Sequence, residues 1–294
     1  MHTERVILVT GAGGMVGSYF LALRSEFPEP LDLTDIDTLD VRDWNAVRER
    51  VVGGRYSLVV HLAAETDVDR CEGEPDHAYR TNAWGTHNVA LACQEAGIPM
   101  VYTSTAGVFG GDGALGPFTE YDPPCPANVY GASKLAGEKI VNGLLTRAYV
   151  VRPGWMMGGG PKDHKFVAKI VAQVREGRAI KAVDDKIGSP TFGRDLTLQI
   201  RDLIVSGHFG LYHATNHGTC SRYDVACRIV KALGAPMTVT AVSSDQFPLP
   251  APRARSEAMR NLNLQLLGLD RMGPWEDALD AYLREWTGAR PTTS

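Results

Sequence analysis

An α/β fold built on a doubly wound parallel sheet follows from three features of this sequence. Short β-branched runs alternate with amphipathic helical patterns through the first half. A glycine-rich turn, TGAGGMVG at residues 10–17, joins the first such run to the first helical pattern. Later apolar runs, SLVVHLAA and PMVYTST, are strand-sized and bounded by turn signals. Parallel strands need a crossover between them, usually a helix, so strict β-α-β-α alternation predicts a sheet covered on both faces. The expected architecture is Rossmann-type, with a smaller and mostly C-terminal substrate-binding lobe.

Taken in order, VILVT reads as a buried strand, and Met15 to Glu26 as a helix. Pro28 to Thr34 leads into a second strand, and Trp44 to Val52 forms a helix that Gly53-Gly54 terminates. SLVVHLAA is the next strand, His77 to Ala96 a long helix closed by Gly97, and PMVYTST a further strand. After Val151 the regularity loosens: RPGWMMGGGPKDHKF mixes glycines with aromatics, as a ligand loop does. A helix over Phe166 to Glu176 follows, and GLYHAT is a strand placed to return to the main sheet. SRYDVACRIVKAL and PWEDALDAYLREW read as helices of the smaller lobe. The expected division is a dinucleotide-binding domain over 1–151 and 186–217, with the lobe over 152–185 and 218–294.

Composition narrows the function classes. The 294 residues are 44% hydrophobic and 22% charged, with a formal net charge of −4, so nothing electrostatic points to nucleic acid or an anionic membrane. The longest apolar runs are too short for a bilayer span, and the glycine turn stands too near the first residue for a secretory leader. Five scattered cysteines with no C-x-x-C read as free thiols of a reducing compartment. The eight histidines include no H-E-x-x-H, and His213 and His217 straddle a strand end and a turn. The expectation is a cytoplasmic protein without a metal.

The glycine turn carries the first chemistry. G-x-G-x-x-G would need glycine where Val16 stands, whereas G-x-x-G-x-x-G fits through Gly11, Gly14 and Gly17. Such glycines let backbone amides and a helix N-terminus approach a pyrophosphate, with Met15 and Val16 on the same turn. An acidic residue about 20 positions on should meet the adenosine ribose. Asp35 is placed for it, with Asp32 and Asp37 as competitors and Asp40 and Val41 towards the adenine. A carboxylate there repels a 2′-phosphate, which favours NADH over NADPH unless a nearby arginine reverses the preference.

VYGASKLAGE, residues 129–138, sets Tyr130 four residues before Lys134, on one helix face. A neighbouring ammonium favours phenolate and so eases proton exchange by a group whose ordinary pKa is about 10. Taken alone, the pair also fits a solvated surface. Ser104-Thr105, at the end of the preceding strand, places a hydroxyl in range of the same carbonyl. Hydride addition to a ketone creates alkoxide charge that such an acid relieves.

Together G11-x-x-G14-x-x-G17, HLAAETDVDRCE, TNAWGT, STAGVFGG, Y130-G-A-S-K134, RPGWMMG, VDDKIGSPTFGRDL and APRARS resemble an extended short-chain dehydrogenase/reductase. Within that superfamily the likeness is to the dTDP-4-dehydrorhamnose reductase group, almost end to end. The resemblance implies Thr105, Tyr130 and Lys134 as the catalytic trio. It places Leu62, Ala63, Ala64, Thr103 and Arg152 along the cofactor, with Asn82 supporting the site. Thr66, Val68, Ala106 and Trp155 would meet the sugar, and Lys162, Lys165, Arg253 and Arg255 the nucleotide diphosphate. One departure stands out: Ala106-Gly107 replaces the Asp-Tyr usual after the catalytic threonine, so STAGVFG looks more like nucleotide-sugar epimerases. The implied activity is NAD(P)H-dependent reduction of the ketone of a nucleotide-linked 4-keto-6-deoxysugar. An epimerase that retains NAD and a non-catalytic NAD(P)-binding regulatory subunit are the alternatives. Relatives are often homodimers, although no stripe in this sequence marks an interface.

Overall fold

The computed structural model describes residues 5–160, 163 and 165–287. Its centre is a sheet of six parallel strands. Five are β1 (Val6–Thr10), β2 (Leu31–Thr34), β3 (Tyr56–His61), β4 (Met100–Thr103) and β5 (Ala148–Arg152), and the sixth is Gly210–His213. Across the sheet the order is Gly210–His213, β5, β4, β3, β1, β2. The chain therefore winds one way from β1 to β2 and the other way from β3 onwards, leaving a crevice above the C-terminal ends of β1 and β3. Thr10 and His61 face each other in register at that crevice, tied by Thr10 Oγ1 and His61 Nδ1 at 2.8 Å. The GLYHAT segment does return to the main sheet, beside β5.

Two apolar layers hold the sheet. Ile7, Val9, Phe20, Val101, Leu196 and Ile200 pack on one face, and Leu8, Val59, Val89, Met100 and Val150 on the other. Alternate residues of each strand thus serve opposite faces, and both faces are covered. Helix α1 (Met15–Ala22) is shorter than the pattern suggests: it ends at Leu23 and a 3₁₀ turn takes Arg24–Glu26. That turn brings Phe27 back to stack on Phe20, ring centroids 5.1 Å apart. Helix α2 (Trp44–Gly53) is capped by Asp43, whose carboxylate accepts from the amides of Asn45 and Ala46. The expected helix over His77–Ala96 exists but is not uniform. Pro75–Tyr79 and Gly85–Ala96 are α-helical, and Arg80–Trp84 between them is a π turn.

A second core lies C-terminal to β5. Helices Phe166–Arg175, Arg222–Ala232 and Trp275–Thr287 bury Val167, Ile170, Ile229, Leu279 and Leu283 against the parallel pair Ile180–Val183 and Val239–Val242. Ser221 and Asp224 form a capping box at the start of the middle helix. Short strands join this lobe to the sheet. Trp155–Met157 pairs with Pro190–Phe192, and Ile187–Gly188 lies between Cys220–Ser221 and Ser256–Glu257. Glu120 fastens the far end: its carboxylate accepts from the amides of His213, Leu262 and Asn263 at 2.9, 3.1 and 3.2 Å. Among the described residues no helix is long and apolar enough to cross a membrane. The five cysteines are unpaired.

Candidate active site

A cavity of about 1050 Å³ opens over the C-terminal ends of β1, β3 and β4, at the switch point of the sheet. At one end it is lined by Gly11, Gly14, Met15, Val16 and Gly17, by Asp35, Asp40 and Val41, and by Leu62, Ala63, Ala64 and Thr103. The glycine turn is shaped by close approach. Gly11 has φ +71, and a side chain on it would strike the backbone of Ala63; one on Gly17 would strike Ala12. Gly14 differs: its missing side chain would meet only the Gly11 carbonyl, at 3.4 Å, so its outer face is open to the cavity.

Helix α1 begins at that face with no side chain capping its first amides. The buried Thr103 Oγ1 has no hydrogen-bond partner among the described residues. Bare amides at a helix N-terminus and an orphaned hydroxyl in the same crevice suit a dinucleotide, whose pyrophosphate and ribose bring the missing partners. Asp35 lies at the rim, its carboxylate where a side chain on Gly13 would stand. Asp40 is engaged by Arg42 in a two-pronged pair, Nε to Oδ1 at 2.9 Å and Nη2 to Oδ2 at 2.7 Å, which holds its carboxyl below the usual range. Arg42 also lines the cavity.

Thr105, Tyr130 and Lys134 meet in the middle. Helix Val129–Leu144 starts at Asn128, whose side chain accepts from the Gly131 amide at 2.9 Å. That cap puts Tyr130 in the first turn and aims it at the crevice. The Thr105 hydroxyl accepts from the Gly107 amide at 3.1 Å and stands near the Tyr130 phenol. Burial pushes Tyr130 up to about 12, with Thr105 pulling the other way. Lys134 is buried, its Nζ 4.4 Å from the centre of the Tyr102 ring. Burial brings it down to about 7 against the pull of Glu138. For Tyr130 the largest effect is thus desolvation, which favours the neutral phenol.

Three residues expected at the site stand behind its wall. Arg152 does not line the cavity; it is buried in a paired salt bridge with Glu138 (2.8 and 2.6 Å), which also accepts from Ser104 Oγ. Asn82, inside the π turn, accepts from the Glu65 amide and donates to the Glu65 carbonyl and Ser133 Oγ. Ala106 is buried, its amide on the Pro153 carbonyl, and the neighbouring Gly107 faces the cavity instead. Arg255 is exposed and outside the lining, and Lys162 lies outside the described residues.

The far end is walled by Thr66, Val68, Trp155, Lys165 and Arg253, as expected, and by residues that sequence reasoning missed. Glu257 accepts a 2.8 Å hydrogen bond from Trp155 Nε1. Arg222 sits over the Trp155 ring at 4.0 Å, and burial lowers its pKa to about 10. Glu65 takes both Arg70 and His77, at 3.1 and 3.2 Å, and Asp69 holds Arg253 at 2.9 Å. Lys186 and a segment running from Ser244 to Ala254 complete this end. The APRARS motif stops one residue short of Glu257, and Arg222 reads in sequence only as the first residue of a helix.

A switch-point crevice lined by a bare helix terminus and by Thr105, Tyr130 and Lys134 defines an extended short-chain dehydrogenase/reductase, an NAD(P)-dependent oxidoreductase. Residues 5–287 match the RmlD substrate binding domain, and the chain belongs to that family. It is 38% identical over 289 residues to the dTDP-4-dehydrorhamnose reductase of Mycobacterium tuberculosis strain H37Rv, covering 96% of this chain and 93% of that one. A dTDP-4-keto-6-deoxy-D-glucose reductase of Streptomyces niveus is 33% identical over 284 residues, covering 96% and 94%. The crystal structure of the Bacillus anthracis dTDP-4-dehydrorhamnose reductase in complex with NADP superposes with a TM-score of 0.90 at 35% identity, covering 96% and 100%. A Thermus thermophilus UDP-glucose 4-epimerase with NAD shares the fold at a TM-score of 0.81 and 21% identity.

Proposed function

We propose that this protein reduces the 4-keto group of a nucleotide-linked 4-keto-6-deoxysugar with NAD(P)H, in deoxysugar biosynthesis. The observation that carries the reading is that Thr105, Tyr130 and Lys134 line one cavity together with the glycine turn. When bound, the nicotinamide supplies the hydride. Thr105 and Tyr130 hold the substrate oxygen between two hydroxyls, and Tyr130 delivers the proton that the developing alkoxide takes up. Lys134 binds the nicotinamide ribose, and its charge compensates the phenolate left behind. Gly14, Met15 and Val16 carry the pyrophosphate, and Thr103 and Leu62 to Ala64 border the cofactor. Trp155, Thr66 and Val68 border the sugar, and Lys165 and Arg253 meet the nucleotide diphosphate. The cofactor portion is assigned to 1–151 and 186–217 and the sugar portion to 152–185 and 218–294.

Asp35 supports a preference for NADH, because its carboxylate repels a 2′-phosphate while Arg42 is occupied by Asp40. The protein is taken to act in the cytoplasm and as a homodimer. A screen of nucleotide-linked 4-keto-6-deoxyhexoses with both reduced cofactors, followed at the nicotinamide absorbance, tests the activity. Net cofactor oxidation is expected; sugar isomerisation without it would identify an epimerase. Tyr130→Phe should lose about 10²–10⁴-fold in kcat while binding NADH normally. Near-normal turnover would remove Tyr130 from its role.

A further inference from the structure

We infer that Glu257 determines specificity by hydrogen-bonding the C3 hydroxyl of the sugar, so that the substrate must carry that hydroxyl beside its ketone. The inference rests on the reductase reading above and narrows its substrate. Glu257 is placed by the short strand Ser256–Glu257, paired to Ile187–Gly188, and is half-buried in the cavity wall. Its two oxygens have different tasks. Oε2 is fixed by Trp155 Nε1 at 2.8 Å. Oε1 meets no hydrogen-bond donor among the described residues and faces Gly107: a side-chain carbon built there would stand 3.7 Å from Oε1 and 3.4 Å from Thr105 Oγ1. The acceptor and the hydroxyl that holds the ketone oxygen therefore flank one point, with no side chain between them because residue 107 is glycine.

Chemistry selects the partner. In a 4-keto-6-deoxyhexose the ketone has two neighbouring carbons. C5 carries the methyl group and the ring oxygen, so C3 bears the only hydroxyl adjacent to the reacting centre. A carboxyl oxygen next to Thr105 has no other vicinal donor to take. Burial pushes the Glu257 carboxyl up, against the Trp155 hydrogen bond and the charges of Arg222, Arg253 and Lys186; in either protonation state the carboxyl can accept from a hydroxyl. A buried acceptor left without its donor is costly, so a site built this way rejects the analogue lacking the hydroxyl more strongly than a hydrophobic pocket rejects a missing methylene.

The test compares kcat/KM of the wild-type protein for a 4-keto-6-deoxyhexose and for its 4-keto-3,6-dideoxy counterpart on the same nucleotide diphosphate. A 4-keto-2,6-dideoxy sugar serves as control. Loss of the C3 hydroxyl should cost about 10- to 100-fold or more, and loss of the C2 hydroxyl less than about threefold. Glu257→Ala should lower turnover of the hydroxylated sugar by about 10- to 100-fold and bring the 3,6-dideoxy ratio close to one; Glu257→Gln should recover part of the discrimination. NADH binding and cooperative melting check that the variants fold. If Glu257→Ala does not fold, Trp155→Phe, which frees the carboxyl without removing it, should reduce the same ratio. Equal wild-type turnover of the two sugars would overturn the inference and leave the reductase reading intact. Absence of turnover of every 4-keto sugar would overturn the reading itself.

Discussion

Tyr130 is held towards its neutral form because the crevice excludes water from around the phenol. Burial pushes its pKa to about 12 against the pull of Thr105, so the residue is a donor across the neutral range, as reduction requires. The same cause moves the Lys134 pKa down, which also favours its neutral form. Behind both stands the Glu138–Arg152 pair, buried and doubly hydrogen-bonded. Glu138→Gln should leave the Arg152 charge uncompensated and cost about 3–5 kcal/mol, measurable by urea unfolding. At the cofactor rim, Asp35→Ala should raise the ratio of NADPH to NADH efficiency by about tenfold, one unit charge being removed from beside the 2′ position. An unchanged ratio in steady-state kinetics would show that Asp35 does not select the cofactor.

Helix Val129–Leu144 reaches the site only because it packs unusually close to the loop after β4. A side chain on Gly131 would overlap the Gly107 carbonyl oxygen and press on Pro126. Gly131→Ala should therefore shift the first turn of the helix, lower kcat by at least about tenfold and cost about 1–3 kcal/mol, with NADH affinity preserved. Differential melting and fluorescence titration separate these effects. At this scale the sequence was most readable where local pattern decides the outcome. β1, β3 and the helix closed by Gly97, whose φ is +67, follow from alternation and a single terminator. The π turn at Arg80–Trp84 was hidden, because it is set by where Asn82 must point: the backbone of Glu65 and Ser133 lie in another part of the chain. Glu257 and Arg222 were hidden for the same reason. Their shared partner, Trp155, is 102 and 67 positions away, and no spacing rule links them. That Thr105, Tyr130 and Lys134 line one cavity was legible because they sit on one helix and one strand end.

Over the whole molecule, burying the site carries a measurable dependence on pH. Lys134 has a folded pKa of about 7 against 10.5 when unfolded. Between those values the unfolded chain holds a proton that the folded one has released, so stability rises with pH through that window and is lost as pH falls through 7. Urea unfolding without cofactor, at pH 7 and pH 9, should show this rise in the wild type and a flatter dependence in Lys134→Met. An identical slope would contradict the burial of Lys134. The wall opposite the trio has a further implication for how the chain comes off the ribosome. The six-stranded sheet is fully encoded once His213 has emerged, yet the strand bearing Glu257 and the Glu120 fastening to Leu262 and Asn263 arrive only some 45 to 50 residues later. A nascent chain can thus assemble a dinucleotide cradle well before it owns a complete sugar pocket, and a product cut short near residue 250 should hold NADH yet leave every ketone untouched.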